Sequence, residues 1–270
     1  MIEALLACVF GLLIGSFLNV CIHRWPRNRS VVKPRSHCVR CRKMIPWYDN
    51  IPLLSWLILG GRCRYCKARI SARYPMVEAL TGALFGYIVW TRGLSPIALK
   101  LCVFSAMTVA LIFCDLEKRI LPDEFTLGGM VAGFGFALWV PVPDVTAHAC
   151  LWLLGVEGAN ERLLSLAEAG LGAGMPALFL WGGGWLYWKV REKEGLGLGD
   201  VKLIAMVGSF LGLRGALFTL VVGSLAGSVI GLLYIKLTGK DAGSYELPFG
   251  TFLGVAALAA ALLSRLLLGL

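Results

Sequence analysis

The chain has 270 residues, 58% of them hydrophobic, a mean hydropathy of +0.75 and a formal net charge of +10. Apolar runs near or beyond ~18 residues exclude an ordinary soluble protein and predict an all-α polytopic membrane protein with about eight transmembrane helices. The positive charge is then a topology signal, so a nucleic-acid partner is not expected and membrane lipid is.

The first predicted span is residues 1–22. Only Glu3 precedes its apolar core, with no basic segment ahead of it, so the run reads as a retained span and not as a cleaved signal. Residues 23–75 form a strongly basic loop with 13 Lys/Arg and one acid, Asp49. Residues 76–270 form a multi-span core, with spans near 76–91, 95–114, 124–141, 170–188, 200–213, 215–236 and 247–268. The loop at 142–169 carries "EGANERLLSLAEA", an amphipathic stretch expected to lie at the interface. Placing the N-terminus outside puts 21 of the 26 basic residues on the cytoplasmic side, in accord with the positive-inside bias. The sixth span is short, roughly 21 Å of helix against a hydrocarbon core of ~30 Å, which calls for tilt, local thinning or surrounding protein. Gly11 and Gly15, Gly82 and Gly86, Gly223, Gly227 and Gly231, and Gly250 and Gly254 sit four apart. That spacing is read as helix packing.

In the basic loop, Cys38-x2-Cys41 is followed after 21 residues by Cys63-x2-Cys66. Each pair supplies two thiolates on one tight turn, and two pairs complete a tetrahedral set for zinc. Two disulfides or a redox pair are the alternatives; a reducing cytoplasm and the lack of a thioredoxin-like pattern count against them. Four protein ligands would close the site, so the zinc is assigned to folding the loop. His37 reads as a bystander.

Asp115 in "LIFCDLEKRILPDEF" and Asp200 in "EGLGLGDVKL" fall at the same membrane face on different spans. Two carboxylates brought together at a membrane edge share a proton, as in an aspartic protease. One then takes a proton from water while the other polarises a scissile carbonyl. Gly197 and Gly199 before Asp200 are expected to leave room for a substrate backbone and to let the loop move. Carboxylates at span ends are also common as ion or proton sites or as simple termini, so spacing alone leaves these readings open.

The motif Gly197-Leu198-Gly199-Asp200 with "CDLEKRILPD" resembles the type IV prepilin peptidases, membrane aspartyl proteases of the GxGD type. "GSFLNVCIHRWP", "RYPMVEALTG", "LPFGTFL" and the paired C-x2-C loop are similar to further landmarks of that family, in the same order over nearly the whole chain. Trp25, Glu117 and Thr251 depart from the family's usual residues, and none of the three is a catalytic position. The resemblance implies catalytic roles for Asp115 and Asp200, and a supporting one for Asp123. It implies cleavage of short basic leaders from prepilins or pseudopilins after a Gly at the cytoplasmic face. N-methylation of the new N-terminus with S-adenosylmethionine as donor is the second implied activity, with Glu78 suspected near that site. A helix-start glutamate favoured by the dipole is the plainer reading of Glu78. The implied location is the bacterial inner membrane, N-terminus outside and zinc loop cytoplasmic. A transporter using the two aspartates, or a scaffold recruiting partners through residues 23–75, are the competing function classes.

Overall fold

A computed structural model describes residues 1–142, 146–153, 160–192, 196–238 and 247–263. Among them the fold is all-α: α1 (Ile2–Arg24), α2 (Leu54–Ile58), α3 (Arg73–Arg92), α4 (Pro96–Lys118), α5 (Asp123–Trp139), α6 (Thr146–Leu153), α7 (Glu161–Arg191), α8 (Leu198–Thr238) and α9 (Phe249–Leu262). By length and composition four of these can cross a membrane: α1 with its short extension to Arg27, α4, α7 and α8. Helix α9 is a shorter apolar helix. The chain divides into two compact units, Met1–Cys114 and Asp115–Leu270.

In the first unit α1 and α3 run antiparallel along a glycine seam. A Cβ on Gly11 would fall 2.8 Å from the Thr81 carbonyl oxygen, and one on Gly15 2.7 Å from Glu78 Cα. Gly82 and Gly86 are closed in the same way by Leu12 and Cys8. Without side chains between them the backbones approach closely, so dispersion and not a hydrophobic difference between lipid and protein holds the pair. Asn19, buried on α1, donates to the Tyr74 carbonyl at 3.0 Å and stitches the ends of the seam.

In the second unit α7 lies antiparallel to α8, and α8 to α9. Gly172 has no space for a Cβ against the backbone of Gly208 to Leu213, and Gly223 and Gly231 abut Leu253 and Leu247. Ser165 on α7 donates to the Ala137 carbonyl at 2.7 Å and accepts from Val142 N–H at 2.9 Å, which satisfies the polar end of α5 inside an apolar cluster of Ala137, Val142 and Ala169.

One detail agrees with the sequence expectation and one differs. Helix α8 is two helical arms that meet at Gly212, whose φ of 70° and ψ of −174° leave the helical region, close to the expected boundary between the sixth and seventh spans. The short sixth span is thus its first arm, ending where only glycine sits without strain. The stretch from Asn160 onward, expected as an interfacial turn, is the start of a 31-residue helix, capped by Asn160 accepting from Arg162 N–H at 3.0 Å. Its residues 157–159 lie outside the described part. What turns this stretch inward is Glu168, 1% exposed. One carboxylate oxygen accepts Ala147 N–H at 2.9 Å, and the other accepts Leu213 N–H at 3.2 Å. The carboxylate therefore caps the start of α6 and the restart of α8 beyond the break, both ends that lack an intrahelical partner.

Candidate active site and metal centre

Asp115 sits one turn before the end of α4 and Asp200 on the first turn of α8. Between them comes Gly250, second residue of α9. A Cβ there would stand 3.2 Å from Asp115 Cγ, 3.2 Å from Asp200 Oδ1 and 3.0 Å from Leu121 Cδ1. The two carboxyl groups consequently face the same small volume, no farther apart than twice that distance. Asp115 is 5% exposed, and its Oδ2 accepts both the N–H of Thr251, at 2.7 Å, and its hydroxyl, at 2.8 Å. The Thr251 amide also reaches the Pro248 carbonyl at 3.2 Å, so this N–H at the α9 N-terminus is shared between the turn and the aspartate.

The two glycines of the GxGD motif stand in different surroundings. Neither Gly197 nor Gly199 has a positive φ, so neither is needed for a special backbone conformation. A Cβ on Gly199 would meet the Leu121 side chain at 3.2 Å, whereas one on Gly197 would meet nothing closer than Asp200 Oδ2 at 3.6 Å. Gly199 thus permits the start of α8 to close against Leu121, and Asp200 N–H donates to the Gly197 carbonyl at 3.1 Å. Asp123 lies at the start of α5 and receives Lys202 Nζ at 2.7 Å, a solvent-facing pair that links the two aspartate motifs.

Gly250 and Thr251 stand beside the two carboxylates although the sequence reading gives neither a place in the site. Both lie in "LPFGTFL", a family landmark in the sequence, where Gly250 reads as a packing glycine. The signal available in the sequence was Thr251 itself, a departure from the usual residue that turns out to touch Asp115.

The four cysteines of the loop come together. Their sulfurs lie within 4.8 Å of one another, with Cys38 and Cys66 Sγ 3.7 Å apart. Tetrahedral sulfurs at ~2.3 Å from a metal would be about 3.8 Å apart, so the donor set and spacing fit such an ion. The two halves repeat one local structure. Cys38 N–H donates to the Lys43 carbonyl and Arg42 N–H to Cys38, and Cys63 pairs with Ala68 and Lys67 in the same pattern. Arg42 and Lys67 take φ of 58° and 56°, and the isolated bridges His37 to Met44 and Arg62 to Arg69 close each turn. Burial works against the Cys38 thiolate, yet the N–H groups of Cys41 and Arg40 and the neighbouring sulfurs bring its pKa down to about 6. Asp49 holds Arg64 of the second knuckle through both carboxylate oxygens, at 2.7 and 2.5 Å. His37 Nδ1 pairs with the Arg35 carbonyl and stands outside the cysteine set.

Glu78, 7% exposed in the α1–α3 seam, accepts Leu53 N–H at 2.9 Å and a hydrogen bond from the Ser16 side chain. Leu53 carries φ of 61°, a conformation that costs a branched side chain about 1–3 kcal/mol and is held by such a partner.

Comparison with known proteins gives a consistent result. Residues 9–92 match the family described as Bacterial Peptidase A24 N-terminal domain, and residues 102–232 match the Type IV leader peptidase family. The prepilin leader peptidase/N-methyltransferase of Myxococcus xanthus is 41% identical over 236 residues, 86% of this chain and 63% of its own length. That of Pseudomonas aeruginosa is 33% identical over 92% of this chain and 86% of its own. A type 4 prepilin-like proteins leader peptide-processing enzyme of Escherichia coli O78:H11 is 37% identical over 97% and 94%. No solved structure matches the chain.

Proposed function

The chain belongs to the type IV leader peptidase family, and from that premise we propose that Asp115 and Asp200 cleave the short basic leader of prepilins or pseudopilins after a Gly. The observation that carries this reading is the convergence of both carboxylates on Gly250. Asp115, with two Thr251 donors on one oxygen, suits the ionised role and takes a proton from the attacking water. Asp200 holds the shared proton and gives it toward the carbonyl oxygen as the tetrahedral species forms, then that species collapses with the proton passed to the leaving amine. Gly250 leaves the volume between the carboxylates free for water and the scissile peptide.

The enzyme is a peptidase with methyltransferase activity, as its relatives' names state for them. S-adenosylmethionine is the methyl donor in this reading, and supplies an electrophilic methyl group to the new N-terminal amine. In this reading Glu78 lies near the donor site, and its carboxylate also accepts Leu53 N–H and a hydrogen bond from Ser16. Its contribution is to fix the loop at Leu53. Zinc held by Cys38, Cys41, Cys63 and Cys66 folds residues 23–75 as a module, beside a multi-span core over 76–270. The protein is placed in a bacterial inner membrane, N-terminus outside and cysteine loop in the cytoplasm, on the distribution of its basic residues.

The test is cleavage of a precursor in liposomes by wild type, Asp115→Asn and Asp200→Asn, with mass spectrometry reading leader loss and methylation separately. Each folded Asn variant is expected to lose leader removal by at least about a thousandfold, in the range reported for catalytic groups acting as a unit. Normal cleavage by both would sink the dyad.

A further inference from the structure

Most of the cysteine loop is polar and basic, but one stretch is not. Leu54, Leu57 and Ile58 are 57%, 65% and 79% exposed, and their spacing puts them on one face of α2. Trp47, 74% exposed, is tied to the same piece. Ser55, buried, donates to the Tyr48 carbonyl at 3.0 Å and accepts from Ile51 N–H at 3.0 Å, locking the turn at Trp47–Asp49 against α2. Four large apolar side chains in one rigid element, pointing away from the protein, call for a covering partner.

Two observations identify it. The first is depth. The segment is pinned through Leu53 N–H to Glu78, which lies five residues into α3 and opposite Gly15 on α1. Helix α1 is long and apolar enough to cross a membrane and ends at Arg24, nine residues beyond Gly15. At 1.5 Å per residue, Glu78 lies roughly 8 Å inside the start of α3 and about 13 Å inside the end of α1. A glutamate side chain reaches back over part of that, which leaves α2 at the level of the headgroups and the first acyl carbons. The second is charge. Residues 23–75 hold 13 Lys/Arg and one acid, and that acid, Asp49, is already paired with Arg64. Exposed Trp and aliphatic side chains within a basic segment match the interface of an anionic leaflet.

We propose that Trp47, Leu54, Leu57 and Ile58 form a membrane-docking surface that seats the cysteine loop on an anionic lipid leaflet, with the α1–α3 seam setting its depth through Glu78 and Leu53. The loop is then not a free cytoplasmic module but a cap lying on the bilayer beside its own spans. The proposal is independent of the two aspartates, so a failed protease assay leaves it standing.

The experiment uses the full chain in lipid discs of phosphatidylcholine, with and without phosphatidylglycerol. The photoreactive residue p-benzoylphenylalanine replaces Ile58 in one variant and Leu57 in another; an unchanged thermal unfolding temperature in detergent checks that each folds. Illumination and mass spectrometry are expected to give lipid adducts at both positions, at least about twofold more with phosphatidylglycerol present. Adducts to a second copy of the chain would overturn the proposal, as would adducts no more frequent than in detergent alone. Equal yields in the two lipid compositions would overturn its anionic part. Trp47→Asn in the Ile58 variant is expected to cut the lipid adduct several-fold; an unchanged yield would remove Trp47 from the surface.

Discussion

At Gly250 a single hydrogen in place of a side chain decides whether two carboxylates share one volume. A methyl group there would lie within 3.2 Å of both, and its third neighbour, Leu121, belongs to the turn that also closes on Gly199. Gly250→Ala should therefore push Asp115 and Asp200 apart and reduce leader cleavage by at least about a hundredfold, the scale on which a misplacement of ~1 Å acts. Precursor cleavage at unchanged thermal stability is the measurement; full activity would mean that the carboxylates do not act across this gap. Asp49 offers a different test. Arg64 holds its carboxyl below the usual carboxylate range, so the pair adds stability that is present above the unfolded value of about 4 and is lost as pH falls through the lower folded value. Comparing protease resistance of the loop in wild type and Asp49→Asn from pH 7 down to 3, the difference should be largest at pH 7 and shrink toward the acid end. A difference that grows on acidification would contradict the sign.

Among elements, α8 shows how a buried charge can set helix geometry. Its first arm carries Asp200 at one end and stops at Gly212 at the other, where Glu168 takes the first amide of the second arm. Glu168→Ala would strand the amides of Ala147 and Leu213 inside the protein, at about 1–3 kcal/mol for each unsatisfied group. Thermal unfolding in detergent should drop accordingly, and Glu168→Gln, which keeps one acceptor, should lose less. Equal stability of all three proteins would refute the capping role. The knuckles of the cysteine loop are elements of the same kind: each is a six-residue turn with a left-handed residue after its second cysteine, and neither has a hydrophobic core of its own. The C-x2-C spacing announces them because thiolate geometry is local. Nothing local announces Glu168, whose partners are 21 and 45 residues away.

For the whole molecule, metal and membrane are expected to stabilise different parts. The loop between α1 and α3 has four cysteines and few buried side chains, so chelation or Cys63→Ser should open residues 23–75 to protease while the unit Asp115–Leu270 stays resistant. Limited proteolysis with peptide mapping reads this directly, and equal resistance with and without chelator would show that the cysteines do not hold the loop through a metal.

The helical class, the places of most helices and the cluster of four cysteines were legible in the amino-acid order, and the GxGD motif pointed to the two aspartates that we propose as the catalytic pair. All of these rest on short-range regularities: runs of apolar residues, a two-residue gap between thiolates, a motif around one acid. Only the tertiary structure decided that Gly250 separates the carboxylates, that Thr251 serves Asp115, that Glu78 grips Leu53 and that Glu168 caps a broken helix. Each of these joins residues far apart in the chain, and a glycine that lets helices touch reads the same as one that lets two acids meet. The difference lies in what stands opposite, and packing alone specifies that.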